Sequence, residues 1–188
     1  MSKSENLIKQ NKELLDKINT KSLVSTSLKD KIQLLSKYKG KVLLCDVSGS
    51  MDAHCGEATA IDILRSTINN FPGATIYEFS NYCKEVKVLS NPNGSTMLDL
   101  AFKVLVSNGI TEICLITDGR PNDEKAALAA SAYLDKIDII YIGPKPVPDF
   151  LVQLAKLRKG SFVDVDLIAK DAQKELETKI KGLLSVGS

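Results

Sequence analysis

Histidine is almost absent from this chain of 188 residues, His54 being the only one. The four cysteines, Cys45, Cys55, Cys83 and Cys114, form no CxxC pair. Next to His54 stands one thiol, Cys55, and little else, so a zinc site lacks the clustered soft ligands it needs. Cys45 and Cys114 fall inside apolar, strand-like runs, where a free thiol behaves as a small hydrophobe. A reduced, cytoplasmic protein is therefore expected. An excess of one charge is lacking too. The 25 Lys and Arg face 23 Asp and Glu, a net of +2 that demands neither a nucleic acid nor a membrane as partner. Apolar runs such as Ile139 to Ile142 are far too short to span a bilayer. The polar opening, Met1-Ser2-Lys3-Ser4-Glu5, has no apolar stretch of the kind a secretory signal requires.

Catalytic signatures are missing as well. No GxSxG elbow occurs, and Ser48 or Ser50 with His54 lacks an orienting acid at any recognisable spacing. No GxGxxG follows a strand and no Walker-type phosphate loop is present, so dinucleotide and nucleoside-triphosphate binding have no support. Phosphoryl transfer through an Asp-x-Asp pair is not supported either, because Ser48 holds the third position. Metal-assisted hydrolysis lacks an evident general base. The expectation is a protein that is not an enzyme.

What is present is an ordinary globular composition, 44% hydrophobic and 26% charged, enough for one domain with a short appendage. Residues 1–40 hold nine lysines against four acids, whereas the remainder is slightly acidic. In that first part Ser2-x-x-Glu5 reads as a capping box, and Leu7, Ile8, Leu14, Leu15 and Ile18 form a one-sided stripe. Ser25-Thr26-Ser27 can cap a second helix with Leu28, Ile32 and Leu35 on one face. This predicts an N-terminal helical arm over 1–40, with lysines on a solvated face, since no aromatic residues are interleaved with them.

From Lys41 onward strand and helix patterns alternate, defining one domain over 41–188. Val42 to Cys45 is a continuous apolar run, as in a strand buried on both faces. Further strands are predicted at 75–79, 83–89, 112–117, 137–142 and 161–165. Helices are predicted at 58–71, 97–107, 121–134 and 147–158, with a closing helix through Ala172, Leu176, Ile180 and Leu184. The strand at Cys83 is joined tightly to its predecessor and is expected to run antiparallel to it. Such alternation predicts an α/β fold with a mostly parallel six-stranded sheet between helical layers.

In a sheet of this kind ligands bind beyond the carboxyl ends of the strands. Three segments should meet there: Asp46-Val47-Ser48-Gly49-Ser50-Met51, Gly94-Ser95-Thr96 and Thr117-Asp118-Gly119-Arg120. Asp46, Ser48, Ser50, Thr96 and Asp118 among them supply two carboxylates and three hydroxyls, hard oxygen ligands suited to Mg²⁺, Mn²⁺ or Ca²⁺. Five such groups do not complete a protein cage, so the ion keeps water or accepts an outside carboxylate. The bland alternative is a strand-end Asp followed by helix-capping serines. Asp52 and His54 lie in the adjoining loop and read as solvated side chains.

Asp-Val-Ser-Gly-Ser-Met, then Gly-Ser-Thr, then Thr-Asp-Gly, resembles the von Willebrand factor A domain family and its metal-ion-dependent adhesion site. The resemblance covers residues 41 to about 184. It implies a Rossmann-like three-layer α/β/α sandwich with one antiparallel edge strand. It further implies that Asp46, Ser48, Ser50, Thr96 and Asp118 hold the metal, some directly and some through water, and that a partner protein supplies a Glu or Asp. The stretch Leu44 to Met51 is especially like intracellular bacterial members that work beside MoxR-type AAA+ ATPases. The implied partner is thus an AAA+ ATPase or its substrate, and the implied role is that of an intracellular adaptor or assembly factor. By the same resemblance the segment 167–184 is a candidate for movement on ligation. Two other readings stand beside this one. The first is a metal-independent scaffold binding through the N-terminal helices. The second is an RNA-binding protein, because the Ro autoantigen family also carries such a domain.

Overall fold

Five consecutive buried residues, Val42–Asp46, form the central strand β1. Side chains alternate across a strand, so Leu43 and Cys45 enter one core while Val42 and Leu44 enter the other. A strand buried on both faces has no polar side to show, which is why its sequence is a continuous apolar run. The computed structural model describes residues 40–185. The helical arm expected over 1–40 lies, Gly40 apart, outside the described residues.

On one side β1 pairs in parallel with β2 (Thr75–Phe79), with Val42 opposite Thr75 and Asp46 opposite Phe79. The edge strand β3 (Cys83–Val86) runs antiparallel to β2, as predicted from its tight connection. On the other side β1 pairs in parallel with β4 (Glu112–Thr117), which is followed by β5 (Lys136–Tyr141) and β6 (Phe162–Asp164). The order is β3-β2-β1-β4-β5-β6, a mostly parallel sheet with one antiparallel strand. The order in which strands are added reverses between β1 and β4, and such a switch point opens a crevice at the strands' carboxyl ends.

Helices α1 (Ala60–Ile68) and α5 (Ala172–Ser185) cover one face, burying Ile61, Leu64, Leu176 and Ile180 against Leu43, Cys45 and Ile116. Helices α2 (Leu98–Ser107), α3 (Glu124–Ser131) and α4 (Asp149–Leu157) cover the other, with Phe102, Leu105, Ala127, Leu151 and Leu154 against Leu44, Leu115 and Ile139. The fold is therefore a Rossmann-like three-layer α/β/α sandwich. Among the described residues no helix is long and apolar enough to cross a membrane.

Several boundaries differ from the sequence expectation, and for three of them the local reason is visible. Helix α1 begins at Ala60 rather than 58, because Ala58–Thr59 pair with His54–Cys55 as a small antiparallel ribbon. Thr59 then caps the helix, accepting from the Asp62 backbone N–H at 3.3 Å. Helix α3 stops at Ser131 rather than 134. There the Ser131 hydroxyl bonds back to the Leu128 carbonyl, and Leu134 N closes a turn onto the Ser131 carbonyl. Strand β3 stops at Val86 rather than 89, because the following segment is drawn away from the sheet. The Arg65 guanidinium donates to the carbonyls of Leu89 at 3.2 Å and Ser90 at 2.7 Å. From the other side the Glu78 carboxylate accepts from both the backbone and the hydroxyl of Ser90, each at 2.6 Å.

Glu78 is itself fully buried in β2, and takes further bonds from Tyr82 at 2.9 Å and an ion pair with Lys84 at 3.3 Å. Burial pushes its carboxyl up, but the bonds from Ser90, Tyr82 and Lys84 together outweigh this and hold it below the usual carboxylate range. A depressed folded-state value means stability that is present at neutral pH and lost as pH falls through the acid range. Glu78→Gln turns an amide nitrogen toward a cluster of donors, so it should cost about 1.5–3 kcal/mol at pH 7. The loss should shrink below about pH 4, where the wild-type carboxylate protonates as well. Urea unfolding of both proteins at the two pH values measures this.

Candidate metal centre

Asp46 is the last residue of β1 and is completely buried. The register explains its partner. Cys45 stands opposite Ile116, and one step further along the same parallel pair Asp46 meets Thr117. The Thr117 hydroxyl donates to Asp46 Oδ2 at 2.6 Å, while the Ser48 backbone N–H donates to Oδ1 at 2.8 Å. Ser50 Oγ donates to Asp118 Oδ1 at 2.8 Å, and Ser48 Oγ lies 3.2 Å from Ser50 Oγ. With Ser50 committed to Asp118, the Ser48 hydroxyl is the donor between the two serines. Asp46, Ser48, Ser50 and Asp118 thus form one connected polar group.

The serines are not helix caps. Ser48 does precede a short 3₁₀ turn, Gly49–Asp52, but its side chain makes no capping bond. Neither Asp46 nor Asp118 has an ion-pair partner among the described residues, although both are buried. Burial pushes the Asp46 carboxyl up to about 6, and the neighbouring Asp118 charge pushes the same way against the bonds from Ser48 and Thr117. Burial likewise raises Asp118, against the bond from Ser50. Two adjacent carboxylates removed from water with no counter-charge are costly, and a bound cation removes the cost. Among the described residues no three His, Cys, Asp or Glu side chains come together as a metal cluster. The group here holds two carboxylates and otherwise hydroxyls, a donor set that fits a hard divalent ion and leaves positions for water.

Thr96 reaches the same edge through its backbone. Its N–H donates to Asn122 Oδ1 at 3.1 Å and its carbonyl accepts from Asn122 N at 3.0 Å, fastening it to the segment that follows Asp118. The same loop is fastened to the first motif, since Gly49 N donates to the Gly94 carbonyl at 3.0 Å and Asn93 N to the Val47 carbonyl at 2.9 Å. Gly94 has φ +79°, and a Cβ there would also run into the Asn81 side chain. Asn81 uses that proximity to accept from Ser95 N at 2.8 Å. The Thr96 side chain is buried but takes no part in the hydrogen-bonded chain of Asp46, Ser48, Ser50 and Asp118. Asp52 and His54 are exposed, His54 on the small ribbon.

Four residues matter to this geometry to which the sequence assigned no role: Thr117, which stands in the Thr-Asp-Gly motif and acts as a clamp, Asn81 and Asn122 as loop fasteners, and Gly143. Strand register was the signal for Thr117. Gly143 has no sequence signal beyond its type. A Cβ there would lie 1.9 Å from the Asp118 carbonyl oxygen and 2.6 Å from its carbon, so nothing larger than glycine fits behind the Asp118 backbone.

Two substitutions test this arrangement. Thr117→Val keeps a β-branched strand residue but leaves Asp46 Oδ2 without its donor, and should weaken Mg²⁺ binding about 10–100-fold by calorimetric titration. Gly143→Ala should destabilise the fold by about 1–3 kcal/mol through overpacking. Gly119→Ala is its control, because a Cβ at Gly119 meets nothing within 4 Å. Thermal unfolding of both variants distinguishes a specific clash from a general intolerance of alanine near Asp118.

No family model matches the chain, and no curated protein matches it. Solved structures similar to it include the crystal structure of CurK enoyl reductase, at 14% identity and a TM-score of 0.41. That match covers 79% of this chain and 48% of the reductase, so the chain spans about half the length of that protein.

Proposed function

We propose that the chain is a metal-dependent protein-interaction module of the von Willebrand factor A type, an intracellular adaptor that captures an acidic side chain of a partner protein. The observation that supports this best is the pair of buried carboxylates, Asp46 and Asp118, joined by serine hydroxyls and lacking any cationic partner among the described residues. Asp46, Ser48, Ser50, Thr96 and Asp118 would hold Mg²⁺, with Mn²⁺ or Ca²⁺ as chemical equivalents. When bound, the ion supplies compensating charge and an open position for a carboxylate from outside. Thr117 and the Ser48 backbone N–H hold Asp46 in a fixed orientation. Asn122 and the Gly49–Gly94 bond set the third segment against the first two.

The arrangement suits recognition better than catalysis. Both Asp46 oxygens already accept hydrogen bonds, Asp118 is engaged by Ser50, and His54 stands on the exposed ribbon. None of the three is presented as a free base toward a bound substrate. An AAA+ ATPase or a substrate of one is the partner class carried over from the resemblance.

The test is capture from native lysate by the tagged full-length chain, in Mg²⁺ and in EDTA. Partner recovery should require Mg²⁺ and be lost in Asp46→Ala and Asp118→Ala, while circular dichroism shows both variants folded. Saturating Mg²⁺ at about 100 times its Kd should stabilise the wild type by ~2.7 kcal/mol. That corresponds to roughly 5–10 °C in Tm for a chain of this size, and the variants should show no such shift. Capture that survives EDTA would overturn the metal-dependent reading and favour the scaffold reading instead.

A further inference from the structure

The loop that follows β3 is gripped from α1. Arg65, whose side chain is 26% exposed, donates through Nε to the Leu89 carbonyl at 3.2 Å. One of its terminal nitrogens serves the Ser90 carbonyl at 2.7 Å and Asn91 Oδ1 at 2.9 Å. The other meets Asp62 Oδ1 at 3.3 Å, one turn back on the same helix. All three guanidinium nitrogens are thus engaged, and a planar fork held in this way has little freedom left. From β2 the Glu78 carboxylate takes the backbone and hydroxyl of Ser90, each at 2.6 Å. Residues 89–91 are therefore fixed between a helix and a strand before the loop turns toward the first motif.

The next bonds of the loop fall on either side of one residue. Asn93 N donates to the Val47 carbonyl at 2.9 Å, and the Gly94 carbonyl accepts from Gly49 N at 3.0 Å. The Val47 carbonyl and the Gly49 N–H belong to the two peptide groups that Ser48 joins. Peptide groups are planar, so tying down both of them fixes the backbone of Ser48 and the direction in which its side chain leaves. Ser48 is buried, its backbone N–H holds Asp46 Oδ1, and its hydroxyl meets Ser50 Oγ. The loop is a brace for this one serine.

The geometry points to Arg65 as a positioning residue for the candidate metal centre: from α1 it holds the loop against Ser48 and so sets where the Ser48 hydroxyl stands. This inference rests on the metal-dependent reading and adds to it a residue that lies outside all three motifs. Glu78 holds Ser90 alone, whereas Arg65 also reaches Asn91, two residues before the bond to Val47. A lysine could not do the same, because a single ammonium on a flexible stem does not present donors in a fixed fork. Side chains that orient a metal ligand without touching the ion change affinity by about 10–100-fold when removed.

Calorimetric titration of the full-length chain with Mg²⁺, beside urea unfolding of each variant, tests this. Arg65→Met keeps the apolar stem and removes the donors, and its Kd for Mg²⁺ should rise about tenfold. Ile68→Val removes a methyl group from the buried face of the same helix. It should lower the urea midpoint as Arg65→Met does, yet leave the Kd unchanged. Arg65→Lys should fall between Arg65→Met and the wild type, and it carries the test if Arg65→Met does not fold. Ser48→Ala should weaken binding too. The double variant Arg65→Met/Ser48→Ala should lose less than the two single losses multiplied, because both act on one hydroxyl. An unchanged Kd in the Arg65 variants, an equal loss in Ile68→Val, or a double variant that loses the full product would overturn the positioning role while leaving the metal centre standing. A wild type that binds no Mg²⁺ overturns the metal reading and this inference with it.

Discussion

The Thr117 hydroxyl reaches across from the end of β4 to the Asp46 carboxylate at the end of β1, and the rest of the candidate centre is placed relative to that bond. It exists because β1 and β4 are parallel neighbours in one register, so their last residues arrive side by side. Parallel pairing requires crossover helices on both faces, and these helices fill the two cores. The sheet can therefore bury a carboxylate completely at its carboxyl edge, where a single hairpin would leave it wet. From that bond the serines of the first motif lead in a hydrogen-bonded chain to Asp118, and the two carboxylates in it have no counter-charge among the described residues.

Much of this was legible in the chain itself, and the reasons are physical. Val42 to Cys45 and Ile113 to Ile116 read as central strands because both of their faces meet a core, leaving no room for polar alternation. The antiparallel course of β3 followed from the few residues between Phe79 and Cys83. Asp46, Ser48, Ser50 and Asp118 could be placed together because each follows a strand that ends at the same edge. The ribbon at 54–59 was not legible, since two-residue strands carry no period. The end of β3 was misjudged because Lys87 to Leu89 has a strand-like composition. Arg65 and Glu78, distant in sequence, decide its course. The place of Gly143 depends on which backbones touch, and no spacing rule reports that.

Rigidity is unevenly distributed around the centre. Behind Asp118 the Gly143 backbone stands so close that no Cβ fits between them. Asp46 is held at both oxygens. The loop carrying Thr96 is attached by backbone bonds at its two ends and turns at Gly94, where the left-handed conformation is available at little cost. A group built in this way keeps its two carboxylates in fixed geometry and holds the neighbouring loop by its backbone.

The withdrawal of residues 87–91 from the sheet has an effect on association. An edge strand offers unpaired backbone groups to any other chain, and long flat edges invite aggregation. Here β3 ends after four residues, with the exposed Lys84 and Glu85 on it, and Arg65 and Glu78 occupy the polar groups of the segment that would have prolonged it. At the opposite edge β6 is only three residues long. The sheet thus ends in short borders, one of them charged, that give another strand little to grip. Association through the sides of the sheet is thereby disfavoured.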